Sequence, residues 1–201
     1  MNENDQGKFV MPGDLILNEE RNLEGTYSEN GKTYAAVISI LKANQIIPLK
    51  GRYIPHFGDY VVGIVAEERF SGYTIDLNAP YNGQVSSRDL MEELKVGDVV
   101  MVKVANVDEV KNALLAEPRK LVGGEIIEVE PVKIPRIIGR NSSMVTMIKQ
   151  ATQCEVTVGK NGRIHLKGGD TVKALNAITK ICKESHTTGL TDRIKQYLET
   201  N

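Results

Sequence analysis

Short runs of alternating apolar and polar residues fill most of the first 120 residues of the chain. A period of two is typical of β-strands with one buried face. The runs read KTYAAVISIL, GDYVVGIV, SGYTIDL and VGDVVMVKVANVD. They are separated by turn signals, namely Pro12-Gly13, Asn30-Gly31, Gly58, Gly63, Gly72, Gly83 and Gly97. Because a small barrel needs tight turns and sharply coiled strands, this spacing predicts a barrel that begins near Gly58.

The spacing of apolar residues changes beyond about residue 123, where helices and strands alternate. The segment IIEVE predicts a strand and KIPRII a short helix. Met144, Val145 and Ile148 recur at helical spacing and predict a second helix. The runs CEVTV and RIHLK flank GKNG, whose Asn161-Gly162 pair predicts a tight hairpin turn.

Two more helices are expected near the C-terminus. Asp170 is a candidate N-cap for the first of them, and Thr191 is a cap-like start for the second, TDRIKQYL. The apolar face expected of the first helix consists of Val172, Leu175, Ile178 and Ile181.

Two of these segments resemble known nucleic-acid-binding folds. Asp59 and Asp98 each follow a glycine and begin a valine-rich strand, and this repeated GDxV feature resembles OB barrels of the ribosomal-protein-S1 type. The C-terminal segment resembles a KH domain. We therefore expect a mainly β protein with an α+β C-terminal domain. Its parts would be an N-terminal β unit (1–55), an S1-type OB-fold domain (56–122) and a KH domain with a C-terminal helix (123–201).

The net charge of −1 conceals a strong asymmetry along the chain. Residues 1–130 hold 13 Lys and Arg against 21 Asp and Glu, whereas residues 131–195 hold 12 Lys and Arg against four acids. The C-terminal part is therefore basic, which favours a polyanion or an acidic partner. A basic helix face that is merely solvated would give the same composition.

The sequence gives little indication of catalytic activity, metal binding or membrane contact. The three histidines (His56, His165 and His186) are scattered, and no carboxylate cluster or nucleophile–base pair accompanies them. Cys154 and Cys182 lack a CxxC partner, so free thiols are expected rather than zinc. We expect no enzyme activity, no metal and no cofactor. A polar N-terminus and the lack of an apolar run of 18 residues predict a cytoplasmic protein without signal peptide or membrane contact.

The predicted barrel has a poor surface for binding RNA. S1-type domains typically carry aromatic residues on their binding face, but the matching positions here are Ser71 and Thr74, and Ser86 takes the place of a histidine. Since base stacking is worth about 1–3 kcal/mol, phosphate contacts would have to dominate. Phe70 and Tyr81 could compensate in part, although such residues more often pack at a barrel end. The cationic candidates are Arg69, Arg88, Lys103 and Lys111.

A second candidate RNA contact is the loop Gly139-Arg140-Asn141-Ser142. In KH domains a GXXG loop clamps the nucleic-acid backbone, since glycines let phosphates approach main-chain N–H groups. Here Ser142 replaces the last glycine, although it could still cap the following helix. The loop could contact RNA, together with Arg136 and Lys149 nearby, or could simply join two helices.

Several longer stretches resemble one family, the archaeal exosome cap subunits called ribosomal-RNA-processing protein four. They are VMPGDLI, GTYSENGKTYA, GRYIPHFGDYVVGIV, IDLNAPYNG, KIPRIIGRNSSM, GKNG and HTTGLTDRI. The resemblance implies that Gly159, Asn161 and Gly162 pack against the S1 domain. It also implies a non-catalytic RNA-binding subunit. Three copies, with another cap subunit, would sit on a ring of phosphorolytic ribonuclease subunits and direct 3′ ends into it for 3′→5′ degradation.

Two further expectations concern assembly and the rival class. The acidic first part of the chain is a poor RNA surface, so the N-terminal β unit is expected to dock on the ring. The alternative is a transcription elongation or antitermination factor of the S1–KH–KH kind. That class needs a second KH domain, for which the sequence leaves no room.

Overall fold

The computed structural model describes residues 8–21, 23, 25–42, 45–49, 51–90, 92–108, 112–185, 187 and 189–200. The chain forms two compact units, Met1–Gly51 and Arg52–Asn201. The second unit contains both a closed barrel and an α+β domain. The expected fold class, mainly β with an α+β C-terminal domain, is confirmed.

The described part of the first unit consists of two small antiparallel sheets. Its strands are β1 (Lys8–Val10), β2 (Leu15–Leu17), β3 (Thr26–Glu29), β4 (Lys32–Ala35), β5 (Ser39–Lys42) and β6 (Gln45–Pro48). The sheet orders are β1-β5-β6 and β2-β4-β3. Asn30 and Gly31 join β3 to β4 with φ angles of 52° and 73°. Two consecutive positive φ angles are what a two-residue hairpin turn requires, so the predicted hairpin is confirmed.

A closed five-stranded barrel begins the second unit. Its strands are β7 (Tyr60–Arg69), β8 (Gly72–Asp76), β9 (Gly83–Ser86), β10 (Val99–Val107) and β11 (Ala113–Lys120). They pair in the order β10-β11-β9-β8-β7, and β7 closes on β10. Alternate residues fill the interior, among them Val61, Val65, Ile75, Val100 and Val102. Gly63 is needed because a Cβ there would overlap Ile75, so the barrel can coil tightly at this point.

The remainder of the second unit is a three-stranded antiparallel sheet covered by helices. In chain order it contains β12 (Glu125–Glu128), α1 (Ile134–Ile138), α2 (Ser143–Thr152), β13 (Glu155–Val158), β14 (Arg163–Lys167), α3 (Thr171–Glu184) and α4 (Leu190–Thr200). The sheet order is β12-β14-β13. Ile148, Ile164, Ile178 and Ile194 are fully buried in the core shared by the sheet and the helices.

The buried face of α3 differs from the one expected. Val172 and Leu175 are exposed (67% and 39%), whereas Ala174 and Ala177 are fully buried beside Ile178 and Ile181. The expected set recurs every three residues and therefore drifts around the helix. The buried set follows the i, i+3, i+4, i+7 spacing of a helix face. Alanine is small and only weakly hydrophobic, so the sequence pattern alone does not indicate that Ala174 and Ala177 are buried.

The last two helices begin at or within one residue of the positions predicted from the sequence. The Asp170 carboxylate accepts a hydrogen bond from the Lys173 N–H (2.9 Å), so the predicted N-cap of α3 is confirmed. Helix α4 begins at Leu190, one residue before the expected start at Thr191. Leu190, Ile194 and Leu198 are buried, so α4 belongs to the core of the α+β domain.

Candidate nucleic-acid interface

The turn between β13 and β14 is buried against the barrel. The side chain of Asn161 is fully buried, and its Oδ1 accepts a hydrogen bond from the Val62 N–H (3.2 Å). Its Nδ2 donates to the carbonyl oxygens of Val62 (2.7 Å) and Leu77 (2.8 Å). The amide therefore satisfies three backbone groups of the barrel, as a neighbouring strand would.

Two glycines allow this close approach. A Cβ on Gly159 would clash with the Asn161 side chain and the Val62 N–H, and a Cβ on Gly162 would overlap the Val129 carbonyl. Gly162 also has a φ angle of 86°, which glycine adopts without strain. Asn161 itself does not have a positive φ, so the expected two-residue turn is replaced by a longer loop from 159 to 162.

Arg163 adds a second connection between the two folds. Its guanidinium is almost completely buried and donates to the Asp76 carboxylate (2.7 Å), the Asp76 carbonyl (2.8 Å) and the Glu128 carboxylate (2.9 Å). Burial alone would raise the pKa of Asp76. The hydrogen bonds from Arg163 and the Asn78 N–H, together with the Arg163 charge, outweigh it and hold that pKa below its usual value.

A third connection is centred on the buried carboxylate of Asp59. It accepts hydrogen bonds from the Tyr53 hydroxyl (2.8 Å) and the Lys160 ammonium (2.7 Å), and His56 Nδ1 lies 3.8 Å away. The Lys160 N–H also donates to the Tyr60 carbonyl (2.9 Å). Burial raises the pKa of Tyr53, and the Asp59 charge and hydrogen bond raise it further. Asp59 therefore stays paired with a neutral hydroxyl and a cation.

Sequence reasoning missed most of this junction. From composition alone, Lys160 and Arg163 are part of a basic surface, and the sequence gives no sign that Tyr53 contacts Asp59. The sequence signal that could have found them is position, because both cations lie in or beside GKNG. Since their charges are neutralised by barrel carboxylates, the outward positive charge of the α+β domain is smaller than its composition suggests.

The loop between α1 and α2 contains three residues with positive φ angles, of which only the first is a glycine. Gly139 has a φ of 74°, and a Cβ there would overlap Met144. Asn141 and Ser142 both have left-handed φ angles, 50° and 61°. The Ser142 hydroxyl makes no capping hydrogen bond to α2, so the expected cap is not formed. Ser142 therefore occupies a glycine-like conformation at a cost in strain.

Of the cations expected around this loop, Arg136 lies in α1 and Arg140 in the loop, whereas Lys149 lies in the last turn of α2. Arg136, Arg140 and Lys149 are exposed, as are Asn141 and Ser142. Within the described part of the chain, none of the three cations forms an ion pair. Their charges are therefore available to a ligand with phosphate groups.

The barrel carries a groove of about 420 Å³ across β8, β9 and β11. Its lining includes Arg69, Gly72, Gln84, Ser86, Asp89 and Leu114. This is the strand-two and strand-three side of the barrel, where OB folds bind single strands. Arg69 is held by Glu67 (3.0 Å between Nη2 and Oε2), so its charge is largely compensated.

The other barrel candidates are spread around the fold. Arg88 is exposed just beyond β9, near the groove. Lys103 pairs in register with Tyr60 at the start of β7, whereas Arg69 ends that strand. Lys103 is also bound to Glu117 (2.8 Å), which raises its pKa. Lys111 lies outside the described residues.

The aromatic residues of the barrel are arranged differently from a typical stacking platform. Tyr73 lies in the barrel core at 7% exposure, and Thr74, which the S1-type comparison places on the binding face, is buried. Tyr81 is partly exposed, and Phe70, between β7 and β8, is completely exposed. Neither Phe70 nor Tyr81 is therefore buried as a packing residue at a barrel end.

Among the described residues, no group of three or more His, Cys, Asp or Glu side chains is placed to hold a metal ion. The same residues contain no helix long and apolar enough to cross a membrane. Cys154 is buried and Cys182 half-buried, and both are free thiols. Burial raises the pKa of Cys182, so its thiol is not activated as a nucleophile.

These features define a class of protein in which an OB-type barrel and a KH domain are joined into one nucleic-acid-binding unit. The KH domain family matches residues 124–172. A crystal structure described as an exosome complex RNA-binding protein superposes with a TM-score of 0.67 at 34% identity. That match covers 74% of this chain and 96% of the other.

Relatives of known name match nearly the whole chain. The exosome complex component Rrp4 of Methanosarcina mazei is 41% identical over 96% of this chain and 82% of its own length. The proteins of the same name from Pyrococcus abyssi and Methanobrevibacter smithii are 37% and 36% identical. They cover 95% and 94% of this chain, and 82% and 70% of their own lengths. The chain therefore belongs to the family of the exosome complex component Rrp4.

Proposed function

We propose that the protein is a non-catalytic RNA-binding cap subunit of an archaeal exosome, which holds RNA and directs its 3′ end into the phosphorolytic ring. The observation that carries this proposal is its relationship to exosome components over nearly its whole length. The joined barrel and KH domain support it, because both folds bind single-stranded nucleic acid. The transcription-factor alternative is not favoured, since the relatives are exosome components.

Binding is proposed to be electrostatic and tolerant of sequence. Arg136 lies in α1, Arg140 in the loop that follows it and Lys149 in the last turn of α2, and none of the three is neutralised by a described acid. Arg88 would add a contact at the barrel. Contacts to phosphates position a strand without reading its bases, so the strand can slide. A subunit that feeds RNA to a degrading ring needs this property, because tight base recognition would stall the strand.

The assembly proposed for the protein has three copies on the ring, beside another cap subunit, in the cytoplasm. The N-terminal unit is the proposed ring-docking part, because the cationic loop lies elsewhere in the chain and can then face RNA. Three linked sites can gain roughly 10²–10⁴ in avidity over one. RNA binding is therefore expected to be weak in the free protein and strong in the complex.

A charge-reversal series tests RNA binding at the KH loop. Arg140→Glu should weaken binding of oligoadenylate and oligouridylate to a similar extent and should flatten the dependence of affinity on salt. Lys195→Glu is the matched control, because it makes the same charge change on α4, where Lys195 is paired with Glu199 (3.9 Å). Fluorescence anisotropy at several salt concentrations measures both. Equal losses for the two variants would contradict a specific role of the loop.

Two experiments test the assembly and the lack of catalysis. Affinity purification from an archaeal lysate should recover ring subunits in stoichiometric amounts, and deletion of residues 1–50 should remove them. The purified protein should not shorten RNA with phosphate or divalent metal present. Recovery of RNA polymerase in place of ring subunits, or phosphate-dependent RNA shortening, would contradict the proposal.

A further inference from the structure

Phe70 is exposed in a way that packing does not explain. It lies in the turn between β7 and β8, and its relative exposure is 108%, so the ring touches almost nothing. The barrel core is complete without it, since Tyr73, Ile75 and Val85 fill the interior of the adjoining strands. A phenylalanine left in water gains nothing for folding. Its ring is therefore available to a ligand.

The residues on either side of Phe70 both line the barrel groove. Arg69 precedes it and Ser71 follows it, and the groove continues over Gln84 and Ser86. Gly72 lets β8 lie close to β9 here, because a Cβ there would overlap the Val85 carbonyl and force the two strands apart. The exposed ring thus stands at the rim of a groove whose lining combines polar side chains such as Gln84 and Ser86 with apolar ones such as Leu114.

The charges of the groove do not favour phosphate binding strongly. Glu67 holds Arg69, and Asp89 also lines the groove. Apart from the exposed Arg88 near the groove, electrostatic attraction is therefore weak on this side of the barrel, in contrast to the loop between α1 and α2. The interaction that this rim can offer is a flat aromatic surface, on which any of the four bases can stack.

We propose that Phe70 is a base-stacking residue, which receives one base of a single-stranded RNA whose backbone follows the groove past Ser71 and Gln84. This inference rests on the proposed RNA-binding function and assigns it a specific contact on the barrel. A protein partner fits less well, because Phe70 is flanked by the charged Arg69 and the polar Ser71. The side chains of Ser71 and Gln84 beside it can form hydrogen bonds with ribose oxygens.

The first test compares Phe70→Ala with Phe57→Ala in the full-length protein. Phe57 is a suitable control because it is also highly exposed (79%) but precedes β7 at the opposite end of that strand. Phe70→Ala should weaken oligoadenylate binding at low salt by about 10-fold, within the roughly 5- to 150-fold range of one lost stack. Phe57→Ala should leave the affinity unchanged, and Phe70→Tyr should retain it.

An abasic oligoribonucleotide of the same length separates stacking from other effects. Its phosphates are intact, so Phe70→Ala should bind it as well as the unmodified protein does. A loss that persists with abasic RNA would overturn the stacking assignment. If Phe70→Ala has no effect while Arg140→Glu weakens binding, the inference fails and the proposed RNA-binding function stands. If neither change affects RNA binding, the proposed function fails as well.

A fluorescent reporter provides a direct measurement. The chain contains no tryptophan, so Phe70→Trp introduces a single indole at the rim of the groove. Oligoadenylate should quench its fluorescence, abasic RNA should not, and the same substitution at Phe57 should give no response to either. A response of the Phe70→Trp variant to purified ring subunits but not to RNA would overturn the proposal in favour of a protein contact.

Discussion

Asn161 binds both the N–H and the C=O of Val62 through one side-chain amide, at 3.2 and 2.7 Å. One side chain of the KH hairpin thereby satisfies the backbone hydrogen-bonding groups of a barrel strand, as a neighbouring strand would. The same amide reaches the Leu77 carbonyl (2.8 Å), so it also connects β7 to the residue that follows β8. Because these groups are buried, their hydrogen bonds fix the position of the KH domain on the barrel.

Replacement of Asn161 by alanine should destabilise the second unit markedly. The change leaves one buried N–H and two carbonyl groups of the barrel without partners, which should cost about 3 kcal/mol of unfolding free energy. Urea denaturation followed by circular dichroism measures it. Asn176→Ala is the matched control, because Asn176 is exposed within α3 and alanine is the better helix former there. Equal stabilities of the two variants would contradict a structural role of the amide.

Replacement of Ser142 by glycine should stabilise the protein and strengthen RNA binding. The left-handed φ of 61° strains serine, so its relief should outweigh the added chain entropy by roughly 0.5–1 kcal/mol. Without the side chain, a phosphate can also approach the loop backbone more closely. Urea denaturation and fluorescence anisotropy measure the two effects.

Ser143 provides the control for that substitution. It is also exposed, but it has the helical φ of −61°, so Ser143→Gly should destabilise the protein by about 0.5 kcal/mol. A loss of stability in Ser142→Gly similar to that in Ser143→Gly would show that the loop is not strained at Ser142.

The ion pair between Asp76 and Arg163 should make stability depend on pH in acid. The pKa of Asp76 is lower in the folded protein than its ordinary value of 3.8, so folding favours the carboxylate. This contribution is present above 3.8 and is lost as the pH falls through the folded pKa. Asp76→Asn should therefore be less stable than the unmodified protein at pH 7, and the difference should shrink in acid.

Urea denaturation at a series of pH values checks this dependence. In an Arg163→Met background the main partner of Asp76 is gone, so the effect of Asp76→Asn should vary much less with pH. A stability difference between the unmodified protein and the Asp76→Asn variant that stays constant down to strongly acidic pH would argue against the ion pair as its source.

Local patterns in the sequence predicted much of the fold correctly. Alternation predicted the strands of the barrel, Asn30-Gly31 predicted a hairpin, and Asp170 predicted the start of α3. These features depend on residues a few positions apart, so a single sequence contains them. The prediction of the buried face of α3 was wrong, because it consists of large apolar residues, whereas small alanines occupy part of the actual buried face.

Fewer features of the candidate site could be predicted from local sequence patterns. The cations around Gly139 could be located from their place in the loop, and Phe70 could be noticed, but its complete exposure could not be deduced from β-strand alternation. Lys103 was grouped with Arg69, although the register of β7 and β10 separates them along the barrel.

The sequence by itself determined the class of each fold and the charge asymmetry, because these follow from patterns of neighbouring residues and from composition. The packing of Gly159 and Gly162 was implied only by the family resemblance. Tertiary structure decided which charges remain available to RNA. Lys160 pairs with Asp59 across 101 residues of chain, and Arg163 pairs with Asp76 across 87. Such pairs form only once the KH hairpin docks on the barrel. Composition and charge alone do not distinguish these cations from Arg140, whose charge stays exposed to solvent.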